Sequence, residues 1–333
     1  MFLTNTRIIQ RHFGEPDDVL LIEHAPLMPL AECKVRVQVE ATNINPSDLL
    51  SIRGVGQYKH SHQPPRVPGF EAVGVIVESD EAAFPVGLRV LVATGGTWQT
   101  FVDVSPENLF PIPEHLSAEY ACQLYINALT AWILTTVITK LTPNDVVIIN
   151  AGRSAIGKIF AQLSQTIGFK LIAVTSQPEL YNQLIRANRG VYAVLDAKQD
   201  LLQQIQQLHL IKPNVAFDAL GGQAGATLLQ TMKANGQFIN YGTLSMALYP
   251  PEFYALSKSQ QVHFSTFFLR YWEDAAGKDE RRVQFVKMLD HFLSNTIQMD
   301  IDRSVVFGQI KEAIRLIESR TTDLTGKIIL KPA

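Results

Sequence analysis

The stretch Val146-Val147-Ile148-Ile149-Asn150-Ala151-Gly152-Arg153-Ser154-Ala155-Ile156-Gly157 decides the fold. Four apolar residues in a row, bounded by Asp145 and by a small-residue turn, read as a buried strand. A helical pattern follows from residue 156 to about 167. The turn has the form G-x-S-x-x-G, a dinucleotide-binding fingerprint with serine where the second glycine usually stands. Its mechanics ask for a tight turn at Gly152, close approach of a pyrophosphate to the backbone near Ser154, and close helix–strand packing at Gly157. Gly152, Ser154, Ile156 and Gly157 are therefore the candidate cofactor contacts. A strand before and a helix after are the context such a motif requires. The competing reading is a plain turn rich in small residues. A G-x-S-x-G nucleophile elbow is excluded, because Ile156 holds its fifth position.

Downstream, the alternation continues. Strand patterns at 170–174, 191–195, 214–219, 236–241 and 262–269 are interleaved with helical patterns that include 179–186 and 201–208. Near-continuous apolar strands alternating with helices predict an α/β, doubly wound parallel sheet covered on both faces, over residues 118–271. Upstream, residues 1–117 read as strands and turns, with period-2 alternation at 34–40, further strands at 74–78 and 89–93, and frequent Pro and Gly. From about 272 a charged linker, 273–282, leads to helices and a last strand at 327–330, and 272–333 is assigned with the N-terminal β domain.

The end of the second parallel strand bears on the choice of dinucleotide. NAD enzymes place an acid there for the ribose 2′-hydroxyl. Here Val174-Thr175-Ser176-Gln177-Pro178 holds no acid before Glu179. That removes repulsion of a 2′-phosphate, and Ser176 can donate to one, so NADPH is the expected cofactor. Arg153, Arg186 and Arg189 are the candidate cations.

Composition agrees with a globular chain. Its 333 residues, 47% apolar and 18% charged, suit two domains with a large core. Lys plus Arg is 29 against 31 Asp plus Glu, a net charge of −2, so no global field favours nucleic acid. Two cysteines, Cys33 and Cys122, cannot form a four-cysteine zinc site, and two inert thiols of a cytoplasmic protein are expected. The N-terminus has no apolar run after a basic start, so no signal peptide is expected. The most apolar long stretch, 120–138, contains Gln123, Asn127 and several threonines and reads as a buried helix rather than a membrane span.

Further segments carry a resemblance: Asn43-Ile44-Asn45-Pro46-Ser47-Asp48, Pro68-Gly69-Phe70-Glu71-Ala72-Val73-Gly74, Gly96-Thr97-Trp98-Gln99, Asn127-Ala128-Leu129-Thr130-Ala131-Trp132, Ala151 to Gly157, Tyr241-Gly242-Thr243-Leu244-Ser245, Phe267-Phe268-Leu269-Arg270-Tyr271-Trp272 and Gly326-Lys327-Ile328-Ile329-Leu330. In that order they resemble the medium-chain dehydrogenase/reductase superfamily over nearly the whole chain. The nearest likeness is to its zinc-free branch of 2-enoyl thioester reductases and quinone oxidoreductases.

The resemblance implies a Rossmann domain plus a GroES-like, mainly β catalytic domain. It also implies no metal site. Zinc-dependent relatives carry a cysteine where Ser47 or its neighbour stands, a histidine where Phe70 stands, and a cysteine-rich lobe absent here. Glu71 alone cannot assemble a tetrahedral zinc site, and His60 and His62 read as a surface loop. Without a Lewis acid, reduction of an activated alkene is favoured over reduction of a carbonyl. By carry-over, Asn45, Thr130, Gly242 and Lys327 would contact the cofactor, and Trp272 and Phe268 would line an acyl pocket. Tyr58 would be the catalytic donor, although Ile52-Arg53-Gly54-Val55-Gly56-Gln57-Tyr58 places it four residues after Gly54 where the family's I-x-G-x-Y has two. A packed loop tyrosine is the alternative. Lys278, Arg281 and Arg282 read as a solvated charged face. Three functions compete: NADPH-dependent reduction of enoyl thioesters, NADPH:quinone or alkenal reduction, and NADPH binding without chemistry. The partner is a small molecule, and a homodimer is expected through the strand at 262–269.

Overall fold

A computed structural model of the chain describes residues 3–56, 58–179, 191–319 and 324–332. The strands are β1 (Thr4–Gln10), β2 (Leu20–Pro26), β3 (Val35–Asn43), β4 (Ala72–Ser79), β5 (Arg89–Val92), β6 (Phe101–Val104), β7 (Leu109–Pro111), β8 (Val146–Ile149), β9 (Lys170–Thr175), β10 (Val191–Asp196), β11 (Val215–Asp218), β12 (Gln237–Asn240), β13 (His263–Thr266), β14 (Ile301–Val306) and β15 (Lys327–Lys331). The helices are α1 (Pro16–Val19), α2 (Pro46–Arg53), α3 (Tyr58–Ser61), α4 (Ala118–Ala121), α5 (Ile126–Trp132), α6 (Ala155–Ile167), α7 (Leu201–Gln207), α8 (Gly222–Thr231), α9 (Pro251–Ser259), α10 (Leu269–Ser294) and α11 (Ile310–Glu318).

Residues 1–126 and 299–333 form one compact unit. Its main sheet runs β14-β15-β3-β4-β5-β7, with β6 also on β3. Alternation along β3 buries Val35, Val37 and Val39, as the period-2 pattern requires. Arg36, between them, is also buried, because Asp103, Glu78 and the Met28 carbonyl receive its guanidinium. A second core gathers Ile8, Leu20, Ile44, Ile52, Trp98, Phe307 and Ile328. Pro46 opens α2, and Gly54 closes it in the left-handed region at φ 67°. A Cβ on Gly54 would come within 2.6 Å of the Phe13 ring, so glycine is needed there on two counts.

Residues 127–298 form the other unit. Its sheet is wholly parallel in the order β10-β9-β8-β11-β12-β13. The chain starts at β8, winds out to β10, returns to β11 on the far side of β8, and winds out to β13. The β8–β11 boundary is thus a topological switch point, where open α/β sheets form their ligand crevice. Ile148, Ile172, Ala216, Leu228, Leu229 and Phe238 build the core. The doubly wound parallel sheet and the β domain are as expected.

Three elements depart from the sequence reading. β13 spans His263–Thr266 rather than 262–269, because Phe267 leaves the sheet and Phe268 is the residue before α10. The charged stretch 273–282 is helical, not a linker; it lies in α10, which breaks only at Gly277 (φ 78°, ψ 169°). The apolar stretch 120–138 is not one helix but α4, α5 and a wide π-helical turn over Ile133–Ile138. There Thr139 N–H reaches back five residues to Leu134 at 3.1 Å, while the Thr135 and Thr136 hydroxyls bond the Ala131 and Trp132 carbonyls at 2.8 and 2.7 Å. The helix expected at 179–186 falls almost wholly outside the described residues. Compactness places the chain crossings at 126–127 and 298–299, so α10 counts with the parallel-sheet unit. Its Phe285, Met288 and Phe292 are buried, and Trp132 Nε1 donates to Gln284 Oε1 at 3.0 Å.

Candidate active site

The turn after β8 is built for close approach. Gly152 N–H donates to the Val174 carbonyl at 3.0 Å, tying the turn to β9. A Cβ on Gly157 would lie 2.4 Å from the Gly152 carbonyl oxygen, so any side chain there drives α6 off the turn. Ser154 is the N-cap of the thirteen-residue α6, its hydroxyl accepting from Gly157 N–H at 3.2 Å. The serine thus secures the helix end. Ile156 is buried in the core, leaving only its backbone N–H on offer. A helix N-terminus that leaves no room for side chains at Gly157 fits a dinucleotide pyrophosphate.

Ser176 is exposed just past the end of β9. Beside it, the Arg153 guanidinium donates to Gln177 Oε1. Among the described residues Arg153 makes no ion pair, so its charge is held by a neutral acceptor. Arg186 and Arg189 lie outside the described residues. Gly242, in the loop after β12, packs against the backbone of Ala219; a Cβ there would be 2.6 Å from that carbonyl oxygen. Thr130 is buried in α5. Phe268 and Trp272 are joined by a Trp272 N–H bond to the Phe268 carbonyl at 3.1 Å, and both are half-buried at the start of α10.

In the other unit, Asn45 and Lys327 meet. The Lys327 ammonium donates to the Ile44 carbonyl at 2.9 Å and to Asn45 Oδ1. The hub of this cluster is Glu71, whose role no sequence motif announces. Its Oε1 accepts from Asn45 Nδ2 at 2.7 Å and Asn43 Nδ2 at 3.0 Å; its Oε2 accepts from Tyr125 and Ile126 N–H at 3.0 and 2.9 Å. Asn43, Asn45, Glu71 and Lys327 are all buried. Burial pushes the Glu71 carboxyl up and the Lys327 ammonium down from their usual ranges. Asp48, which accepts from Asn45 N–H at 2.7 Å, is raised by burial to about 7. Cys122 is buried beside the cluster and its thiol is pushed well up by burial, so it is poorly nucleophilic; Cys33 is exposed, and both cysteines are free.

Tyr58 opens α3 and is half-buried. Its ring stacks on Phe70, with centroids 6.1 Å apart and planes 28° apart, and His62 meets the same Phe70 edge-on at 5.1 Å. The residue expected to act as donor therefore packs on Phe70, where the resemblance implies a histidine in zinc-dependent relatives.

Two family models match the chain: an alcohol dehydrogenase GroES-like domain over residues 31–114 and a zinc-binding dehydrogenase domain over residues 189–330. A protein from Bacillus thuringiensis assigned as an NADPH:quinone reductase is 32% identical, with a TM-score of 0.91 over 99% of this chain and 100% of that one. The mitochondrial enoyl-[acyl-carrier-protein] reductase of Xenopus tropicalis is 28% identical over 290 residues, 85% of this chain and 81% of that protein. An Escherichia coli quinone oxidoreductase solved with NADPH shares the fold at a TM-score of 0.86 and 21% identity, over 98% of this chain and 100% of that one. The chain belongs to the medium-chain dehydrogenase/reductase superfamily, in its zinc-free branch.

Proposed function

We propose that the chain is an NADPH-dependent reductase of activated alkenes, with trans-2-enoyl thioesters as its substrate class. The observation that supports this reading is the Tyr58 ring stacked on Phe70, the position at which the resemblance implies a histidine in zinc-dependent relatives. NADPH, when bound, would supply a hydride to the β-carbon. Negative charge then builds on the thioester carbonyl oxygen. The Tyr58 hydroxyl donates to that oxygen and serves the protonation of the α-carbon. Phe268 and Trp272 pack the acyl chain. Ser176 and Arg153 receive the 2′-phosphate, and no acid before Glu179 opposes it. The enoyl-[acyl-carrier-protein] reductases among the relatives support the thioester substrate. The Bacillus thuringiensis likeness supports a second reading, NADPH:quinone reduction. In either case the working unit is a homodimer.

The test is oxidation of NADPH, and of NADH in parallel, with enoyl-CoAs, quinones and alkenals. Turnover of enoyl-CoAs with NADPH preferred is the expected result. Turnover confined to quinones replaces the first reading with the second, and equal use of NADH overturns the cofactor preference. Cofactor binding with no turnover of any acceptor leaves a binding protein.

A further inference from the structure

Three neighbouring parallel strands lead into a polar residue at their carboxyl ends. Asn150 follows β8, Asp218 ends β11 and Asn240 ends β12. All three are buried, Asp218 completely. Buried polar groups at this end of the sheet need partners, and they find one another. Asp218 Oδ1 accepts from Asn150 Nδ2 at 2.5 Å and from the backbone N–H groups of Leu220 and Gly221 at 2.9 and 3.0 Å. Its Oδ2 accepts from Asn240 Nδ2 at 3.3 Å and from the Tyr249 hydroxyl. Asn150 answers by accepting Ala219 N–H at 2.8 Å on its own Oδ1, and Asn240 Nδ2 also donates to the Gly242 carbonyl at 2.7 Å.

We infer that Asp218 is a positioning residue for the cofactor. Its carboxylate latches the turn after β8 to the loops after β11 and β12, across the switch point. This inference rests on the NADPH reading above. One carboxylate joins the segment leading into Gly152, the Leu220–Gly221 backbone and the Asn240–Gly242 segment, so these three loops share one geometry. The site leaves no slack. A Cβ on Gly225 of α8 would come within 2.2 Å of Asp218 Oδ2, so the helix is glycine where it passes the carboxylate. Five donors converge on the two carboxylate oxygens, both of which accept. Asparagine at the same place turns one acceptor into a donor facing other donors.

The test is fluorescence titration of NADPH into wild-type protein, Asp218→Asn, Asn150→Ala and the double variant, with circular dichroism and thermal melts on each. Asp218→Asn should weaken NADPH about ten- to hundred-fold. Asn150→Ala, which removes the bonds to Asp218 and to Ala219 N–H but leaves the carboxylate and its other donors, should weaken it about ten-fold; it serves alone if Asp218→Asn does not fold. The double variant should bind no more weakly than Asp218→Asn, since both changes open one latch. In turnover the effect should appear in KM for NADPH rather than in kcat, because neither residue touches the reacting atoms. A merely structural role would lower the melting temperature and leave the NADPH affinity of the folded protein within two-fold of wild type. That result, or independent multiplication of the two single effects, overturns the latch. Wild-type protein that binds no NADPH removes the cofactor reading and the latch with it.

Discussion

At the level of single residues, Tyr58 and Asp48 carry separate expectations. If Tyr58 stabilises a developing enolate, Tyr58→Phe keeps the ring on Phe70 and loses only the hydroxyl. A lost charge-stabilising donor costs about 3–4 kcal/mol, so kcat should fall a hundred- to thousand-fold on the best enoyl substrate. NADPH affinity and the circular dichroism spectrum should not change. Wild-type kcat, under conditions where chemistry limits turnover, removes Tyr58 from the mechanism. Asp48 makes a different prediction. Its folded pKa of about 7 lies above the unfolded value near 4, so between those limits the folded protein holds a proton that the unfolded chain releases. Its contribution is greatest below about pH 4 and is lost as pH rises through about 7, a penalty on the order of a few kcal/mol. Glu71, also raised, acts with the same sign. Asp48→Asn keeps an acceptor for Asn45 N–H and cannot ionise. Wild-type melting temperature should therefore fall relative to the variant from pH 5 to pH 8, and parallel curves would reject the account. At this scale the sequence was only partly legible. Asn45 and Lys327 were named by resemblance and they touch, but Glu71 was weighed only as a metal ligand. Its four donors come from residues 43, 45, 125 and 126, and no spacing in the chain announces that convergence.

Among the elements, the β8–α6 joint carries the most specific expectation. Gly157 faces the Gly152 carbonyl with no room for a methyl group, and backbone on both sides cannot yield as a side-chain tip can. Gly157→Val should therefore lift α6 from the turn and weaken NADPH and NADH alike by at least about ten-fold, each tenfold step being about 1.4 kcal/mol. Unchanged titration of both nucleotides would show that the turn does not cradle the cofactor. This joint was legible because apolar run, small-residue turn and helical period follow one another within about a dozen residues. β14 was not: Asp302, Arg303 and Ser304 interrupt its apolar pattern, and it is held by parallel pairing with β15. The α10 stretch was misread because Gly277 and dense charge imitate a linker, while the apolar residues that anchor the helix, Phe285, Met288 and Phe292, come later. The Asn150, Asp218 and Asn240 series did have a sequence signal, a polar residue closing each of three apolar strands. It becomes informative only once those strands are known to be neighbours in the sheet.

At the scale of the whole molecule, the open question is what covers the outer edge of β13. Among the described residues this strand pairs with β12 alone, so one side of its backbone lacks a ladder. The apolar run at 262–269 does not supply the edge, since Phe267 is buried beyond the strand and His263 and Thr266 are exposed. The case for a dimer therefore rests on backbone groups rather than on apolar side chains. His263 and Phe267 N–H donate inward to the Gly236 and Asn240 carbonyls, both at 2.8 Å. Alternation along a parallel strand then turns the N–H groups of Phe264 and Thr266 outward. An exposed edge of this kind invites pairing with a second copy about a two-fold axis. Light scattering at micromolar protein should give the mass of a dimer. Thr266→Pro removes one outward donor and leaves the bonds to β12 intact, so it should shift the protein toward monomer while the native circular dichroism spectrum persists. A wild-type monomer, or a Thr266→Pro dimer as tight as wild type, places any self-association on a surface other than this edge.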